Sequence, residues 1–203
     1  MNDWFVARDG LIGAARFPSL ARTEQRISVI ELLLLLMCGA TAAAAIGLVK
    51  LRLGIPGHSI VLAALPMALG MALAPRRTAG CVMSAGALGT AWLLTAAGPA
   101  SYGSGSFVSL SLLGPMMDLA LTGARGGRRV YAALVLSGLA TNLLALGSRA
   151  GSKVLGLDLG SRPWDSWWLQ ASMTYTLSGI VAGLLGAACW FHFNDRRNPG
   201  PQA

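Results

Sequence analysis

The sequence predicts an all-α polytopic membrane protein, folded as a bundle of six transmembrane helices. Hydrophobic residues make up 54% of the 203 positions and charged residues only 12%, and the mean hydropathy is +0.59. These values lie outside the range of soluble domains. The apolar residues form six long segments, and Lys and Arg gather at the segment ends. We therefore interpret the net charge of +8 as a topology signal and expect no nucleic-acid partner.

The first 26 residues predict a basic amphipathic segment on the cytoplasmic face of the membrane. Large apolar side chains alternate there with Arg8, Arg16 and Arg22, a pattern typical of helices that lie in the membrane interface. The same pattern suits docking on a partner subunit. Because we expect no soluble domain, any ATP-driven or redox chemistry would have to come from another chain.

Residues 27–193 predict the transmembrane domain, and residues 194–203 a short cytoplasmic tail. At about 20 apolar residues per crossing, the expected helices cover 27–49, 58–74, 78–97, 107–122, 130–148 and 168–193.

Two of these predicted helices, 58–74 and 107–122, are shorter than a full crossing and contain Pro66 and Pro115. Broken helices persist at membrane depth where protein or a cavity covers the freed backbone groups, so they point toward a site. The alternative is that a short helix packs between tilted neighbours or thins the bilayer.

The distribution of basic residues predicts the orientation. Six crossings place both termini on one side, and eleven of the 16 Lys and Arg residues flank that side. The other side has five: Lys50, Arg52, Arg149, Lys153 and Arg162. The positive-inside rule then predicts a multi-pass protein of the cell (inner) membrane with both termini in the cytoplasm.

The connections on the outer side differ in character. Residues 98–106 are flexible and uncharged, which suits either a gate or a plain connector. The segment 149–167 leads into Trp164, Trp167 and Trp168, which predict an aromatic belt at the outer interface. A ligand-stacking role is the alternative for one of them, and we take Trp164 as the candidate.

The polar break at residues 50–59 is the main candidate binding site. Lys50, Arg52 and His58 converge there, and Ser59 lies with His58 at the predicted start of a helix, where the N–H groups and the helix dipole favour an anion. We expect an acidic small molecule as the ligand. Alternatively, the two cations anchor the first helix among headgroups and His58 caps the second. Asn142, deep in the fifth segment, either bonds a neighbouring carbonyl or contacts the ligand.

Two acidic residues lie inside apolar segments, Glu31 in the first and Asp118 in the fourth. Ionisable residues in a membrane are functional candidates by default. Ion pairing with Arg26, Arg77 or Arg125 is the alternative. An intramembrane enzyme would require the two carboxylates to converge on one pocket.

The sequence does not favour an enzyme or a cofactor site. Ser104 lies in a motif similar to part of the rhomboid-type Gly-x-Ser-Gly, but Ser101 replaces the first glycine, and His192 is expected at the opposite membrane face. No HExxH, P-loop or dinucleotide-binding motif is present. The three cysteines, Cys38, Cys81 and Cys189, occupy separate segments without metal-ligand spacing, so we expect no metal and no cofactor.

The first helix carries small residues at intervals of four, including Ala40-xxx-Ala44, a spacing that allows close helix packing within the chain or with a partner. This face, the six short helices, the cytoplasmic termini and the Pro-containing first outer loop together resemble the substrate-binding S components of energy-coupling factor (ECF) transporters. The resemblance covers roughly residues 27–193.

The resemblance implies a function and a set of partners. Ala40 and Ala44 would contact a transmembrane coupling subunit, two cytoplasmic ATPases would drive transport, and the 50–59 segment would bind or gate a vitamin-like micronutrient. Signatures of a riboflavin, biotin or thiamine binder are not seen, and the N-terminal extension is longer than that family needs. The competing hypothesis is a non-catalytic accessory or scaffolding subunit of a larger membrane complex.

Overall fold

The computed structural model describes residues 28–49, 57–74, 76, 78–123, 127–156 and 164–197. These residues form six α-helices and no strand. The helices are α1 (Val29–Leu48), α2 (Ser59–Leu73), α3 (Ala79–Ala96), α4 (Ser104–Gly123), α5 (Gly127–Val154) and α6 (Trp164–Arg197). Five are long and apolar enough to cross a membrane, and α2 is a shorter apolar helix. The predicted fold class is confirmed, whereas the predicted N-terminal segment 1–26 lies outside the described residues.

The helix boundaries differ from the predicted ones at three places. The expectation that the fourth helix is shorter than a crossing is wrong, because α4 begins at Ser104 and has 20 residues. The carbonyl of Gly103 accepts the N–H groups of Ser106 and Phe107, and the helix therefore starts inside the Gly-Ser stretch. α5 extends into the predicted outer loop, and α6 continues to Arg197 through the start of the predicted tail.

The six helices close into a ring in the order α1, α3, α4, α5, α6 and α2, with α2 packed against both α6 and α1. α2 also touches α3, α4 and α5. It therefore leans into the ring, and its side chains Ile60, Ala63 and Met67 are completely buried. Following the predicted orientation, we call the end of the bundle that holds the α3–α4 connection the outer end.

Glycines set the closest helix contacts. A side chain on Gly183 of α6 would collide with the backbone of α5 at Val135, and one on Gly138 of α5 would meet the carbonyl of Gly179. Gly179 and Gly183 form a G-xxx-G pair, the spacing that lets membrane helices approach backbone to backbone.

A pair of facing glycines also joins α3 to α4. Gly80 and Gly114 face each other so closely that a β-carbon on either would collide with the carbonyl of the other. The Gly114 N–H also donates to Ser84 Oγ over 3.2 Å.

The small residues of α1 lie on two adjacent faces of the helix. Gly39 packs on the α3 backbone at Met83, and Gly47 receives the ring of Tyr102. The Tyr102 hydroxyl donates to the carbonyl of Ala43 at 2.8 Å. Gly39, Ala43 and Gly47 are buried and form an internal seam, whereas Ala40 and Ala44 on the neighbouring face are half-buried.

The buried apolar residues fall into two clusters. The larger one extends along the ring between α1, α2, α3 and α4, from Ala91 near the outer end of α3 to the inner half, and includes Leu110 of α4 and Leu134 of α5. The smaller one lies toward the outer end between α4, α5 and α6 and is formed by Ala145, Leu146, Trp167, Ala171 and Tyr175. On α5 the two clusters are separated by the turn that carries Thr141 and Asn142.

Candidate functional site

The outer end of α2 lies well below the outer end of α6, with Gly57 and Ile60 buried and His58 and Ser59 half-buried. Gly57, which precedes α2 with a φ of +84°, packs on Tyr175 of α6, and a β-carbon there would lie 2.9 Å from the Tyr175 ring. The apolar span of α6 begins at Trp167, eight residues before Tyr175. At 1.5 Å per residue, α2 therefore starts about 12 Å below the outer end of this apolar span. Since Gly186 faces Ala68 further along, the two helices run parallel from this point inward.

Asn142 of α5 contacts the backbone at the outer end of α2. Its Nδ2 donates to the carbonyl of Tyr175 at 2.6 Å and reaches the carbonyl of Gly57 at 3.4 Å. Because both neighbours are carbonyl oxygens, the nitrogen of the amide must face them. The predicted bond from Asn142 to a neighbouring carbonyl is confirmed, and the structure brings Asn142 beside the segment that carries His58 and Ser59.

Of the remaining predicted binding residues, the structure describes His58 and Ser59 but not Lys50, Arg52 or the side chain of Trp164. His58 is the residue that precedes α2, and Ser59 is its first helical residue. Lys50 and Arg52 lie outside the described residues. Trp164 begins α6, but its side chain lies outside the described part of the chain. That Lys50, Arg52 and Trp164 line the site stays a prediction.

Two buried polar atoms beside this helix end have no hydrogen-bond partner among the described residues. They are Oδ1 of Asn142 and Oγ1 of Thr141, and both side chains have an exposed fraction of 0%. A buried polar group without a partner costs about 1–3 kcal/mol. In native structures such atoms mark a strained or functional position, or one that binds a water molecule or an ion.

Thr141 differs from many other hydroxyl residues of this chain. Hydroxyl side chains in membrane helices usually donate to a carbonyl one turn earlier in the same helix. The residues that do so here include Thr41, Thr95, Ser111, Thr122, Ser137, Ser152, Ser172, Thr174 and Thr176. Thr141 makes no such bond although it is completely buried.

The helix register places one more hydroxyl at this level. Gly105 of α4 faces the carbonyl of Ala145 on the antiparallel α5. One turn further inward, Ser109 follows Gly105 on α4 by four residues, and Thr141 precedes Ala145 on α5 by four residues. Ser109 has an exposed fraction of 1%. We call the group of Gly57, Ser109, Thr141, Asn142 and the carbonyl of Tyr175 the polar layer. On α5 it lies between Leu134 of the larger apolar cluster and Ala145 of the smaller one. Its described members carry no charged side chain.

Sequence reasoning found Asn142 but missed Thr141 and Ser109. The available signal was the adjacent Thr-Asn pair in the middle of an otherwise apolar helix. Thr and Ser are common in membrane helices because they can bond their own backbone. Only the structure shows that Thr141 does not.

The two acidic residues have separate structural partners. Arg76 Nη2 donates to both carboxylate oxygens of Glu31 at 2.9 Å. Asp118 of α4 accepts the N–H groups of Gly80 and Cys81, each at 2.9 Å, and so caps the first turn of α3. The two carboxylates do not converge on one pocket.

Glu31 pairs with an arginine, as expected, but this arginine is Arg76. Pairing of either carboxylate with Arg26, Arg77 or Arg125 stays a prediction, because these three side chains lie outside the described residues. Asp118 binds N–H groups because those at a helix start attract a carboxylate.

The tryptophans only partly match the predicted belt. Trp168 has an exposed fraction of 43%, as a belt residue should, whereas Trp167 has an exposed fraction of 7% and belongs to the outer apolar cluster. Lys153 Nζ lies 4.9 Å from the centre of the Trp167 ring. An unpredicted tryptophan, Trp92 near the outer end of α3, is 74% exposed.

The predicted gate or connector, residues 98–106, is attached to α1. Ala100 is buried, and the Tyr102 ring lies 5.6 Å from that of Phe107 while its hydroxyl bonds α1. Burial raises the pKa of the Tyr102 hydroxyl above its ordinary value of 10.0, so it remains a donor at physiological pH.

Within the described residues, no three His, Cys, Asp or Glu side chains lie close enough together to hold a metal ion. Comparison of the chain with protein-family models, with curated proteins and with solved structures finds no match.

Proposed function

We propose that this chain is a membrane-embedded substrate-binding subunit, similar to the S component of an ECF-type importer, that captures a small molecule from the outer side. The observation that carries the proposal is the sunken outer end of α2 beside the buried polar layer. Polar groups at membrane depth are retained at a cost, and they lie where a substrate or ion is bound.

The position of the layer supports transport over scaffolding. Asn142 and Thr141 face the interior of the ring and not the lipid or a partner surface, since both are completely buried. A scaffold has no need of unpaired polar atoms in its interior, because they weaken the fold without contributing to any contact.

The proposal also requires a surface for the coupling subunit. The outward face of α1 is strongly apolar, with Ile30 76%, Met37 65% and Leu48 53% exposed. Ala40 and Ala44 are half-buried and lie on the face next to the internal Gly39 seam. Their small side chains let a partner helix approach the α1 backbone.

One observation favours the second candidate, an accessory subunit of a larger membrane complex. Gly147 and Gly151 of α5 are exposed, and a β-carbon on either would meet nothing within 4 Å. Such a small-xxx-small pair on the outside of a bundle is where another membrane helix can pack.

Replacing both Ala40 and Ala44 with Leu separates these candidates. The transporter proposal predicts that the tagged wild-type chain, purified in mild detergent, retains an integral coupling subunit and ATPases identified by mass spectrometry. The double variant should lose them and lose uptake, because two Leu side chains keep the partner helix away.

The matched control is Ala132→Leu, an equal change at an exposed position of α5. It should leave both partners bound. Retention of the coupling subunit by the double variant, or recovery of respiratory or photosynthetic subunits in its place, would overturn the proposal.

A further inference from the structure

The polar layer carries information about the chemistry of what it binds. Oδ1 of Asn142 accepts hydrogen bonds and cannot donate them, and its own nitrogen is already occupied by two backbone carbonyls. Oγ1 of Thr141 is both acceptor and donor. The layer therefore presents acceptor atoms without donors to fill them among the described residues.

A carboxylate does not fit these atoms. An anionic oxygen placed against Oδ1 of Asn142 is repelled, and no charged side chain of the described layer compensates its desolvation. A group with N–H or O–H donors satisfies Oδ1 directly. The hydroxyl of Thr141 can then accept a second donor or donate to an acceptor on the same group.

The surroundings define the rest of the molecule. Immediately outside the layer lies the outer apolar cluster, whose largest members are Trp167 and Tyr175. An apolar body packs favourably against these side chains, and a flat ring packs well on the aromatic ones.

We propose that the polar layer binds the hydrogen-bond-donor end of an uncharged small molecule, such as a primary amide, and that the apolar body of this molecule lies against the outer cluster. This inference rests on the proposed function only in taking the layer as a ligand site. It replaces, at this depth, the acidic ligand expected from the sequence.

Three probes that share the same aromatic ring test the inference. Benzamide has a flat apolar ring and two amide N–H donors, N,N-dimethylbenzamide has the ring without donors, and benzoate has the ring with a negative charge. Binding to the full purified chain in detergent is measured by saturation-transfer NMR and by titration. We expect benzamide to bind more tightly than either of the others.

Thr141→Val then tests the assignment to the layer. Valine has the shape of threonine without the hydroxyl, and since this hydroxyl bonds nothing in the described fold, thermal stability should be unchanged or higher. Benzamide should bind about fivefold more weakly, the effect of one lost hydrogen bond. Thr141→Ser keeps the hydroxyl and should bind as the wild type does.

The control is Thr176→Val, which removes a hydroxyl that bonds its own helix; benzamide affinity should not change. Equal affinity for the three probes, no binding of benzamide up to its solubility limit, or unchanged affinity in Thr141→Val would each overturn the inference. If Thr141→Val does not fold, the order of the three probes on the wild type and the result for Thr141→Ser still decide it.

These outcomes are independent of the transporter proposal. Benzamide binding without a copurifying coupling subunit would leave a donor-binding site in a chain that is not an S component. Copurifying ATPases without a preference for benzamide would leave the transporter and remove this site.

Discussion

At the scale of single residues, buried polar atoms with and without partners distinguish structural from functional positions. The Asp118 carboxylate accepts hydrogen bonds from two backbone N–H groups, and the Glu31 carboxylate forms an ion pair with Arg76. Asn142 and Thr141 each keep an atom without a partner in the described structure. These contacts give the acidic residues a role in stability, and they support our proposal that the Thr-Asn pair binds a ligand.

Asp118→Ala tests the structural half of this assignment. It removes two charge-assisted hydrogen bonds and leaves the start of α3 uncapped, so the free energy of unfolding should fall by about 2 kcal/mol or more. Asp118→Asn keeps one acceptor oxygen and should lose less. The measurement is unfolding of the purified chain in detergent.

A suitable control is Thr122→Ala, since Thr122 is exposed on the same helix and bonds only its own backbone. If Asp118→Ala unfolds at the same point as this control, Asp118 does not hold α3 and α4 together, and a functional role for it returns.

At the scale of helices, glycine positions decide which faces meet. Gly183 brings α6 onto the α5 backbone, whereas Gly147 of α5 faces open space. The same residue type thus has opposite roles on the inside and the outside of the bundle.

Comparing Gly183→Ala with Gly147→Ala tests these roles. The first adds a methyl group that collides with the α5 backbone at Val135 and should destabilise by roughly 1–3 kcal/mol. The second adds a methyl group in open space and should be neutral or stabilise by up to about 1 kcal/mol, because alanine loses less entropy in a helix. Equal effects in a detergent unfolding titration would contradict the α5–α6 packing.

The number of helices and the approximate position of each were predictable from the sequence. Long apolar runs predict spans, and the helix count and the short α2 followed from them. The lengths of α4, α5 and α6 were underestimated because Gly, Ser and charged residues at helix ends, such as Ser104 and Arg197, are equally compatible with loop and helix. The packing role of Gly179 and Gly183 was missed, since an apolar pattern does not show which side of a helix faces the ring.

At the scale of the whole molecule, the ring of six helices is closed by a helix that starts in its interior. This arrangement places the polar layer in the outer half, beside the outer apolar cluster and, on α5, between residues of the two clusters. The sequence indicated the polar break before α2 and the intramembrane Asn142, but it could not show that they meet, because 85 positions separate Gly57 from Asn142.

The orientation in the membrane is tested by thiol labelling in a background where Cys38, Cys81 and Cys189 are replaced by Ala. The charge bias predicts that a membrane-impermeant maleimide labels Ser101→Cys in intact cells, because the α3–α4 connection is outside. Thr122→Cys, exposed at the inner end of α4, should be labelled only after permeabilisation. The reverse pattern would place the polar layer in the cytoplasmic half and would contradict uptake from outside.

The most direct test of the central claim is mass spectrometry of the small molecules that remain bound to the tagged chain after purification in mild detergent, compared between the wild type, Thr141→Val and Thr176→Val. The account predicts a discrete, uncharged, donor-bearing compound in the wild type and in Thr176→Val, and its loss from Thr141→Val. An identical set of bound compounds in all three, or lipid alone in each, would contradict a substrate site at the polar layer.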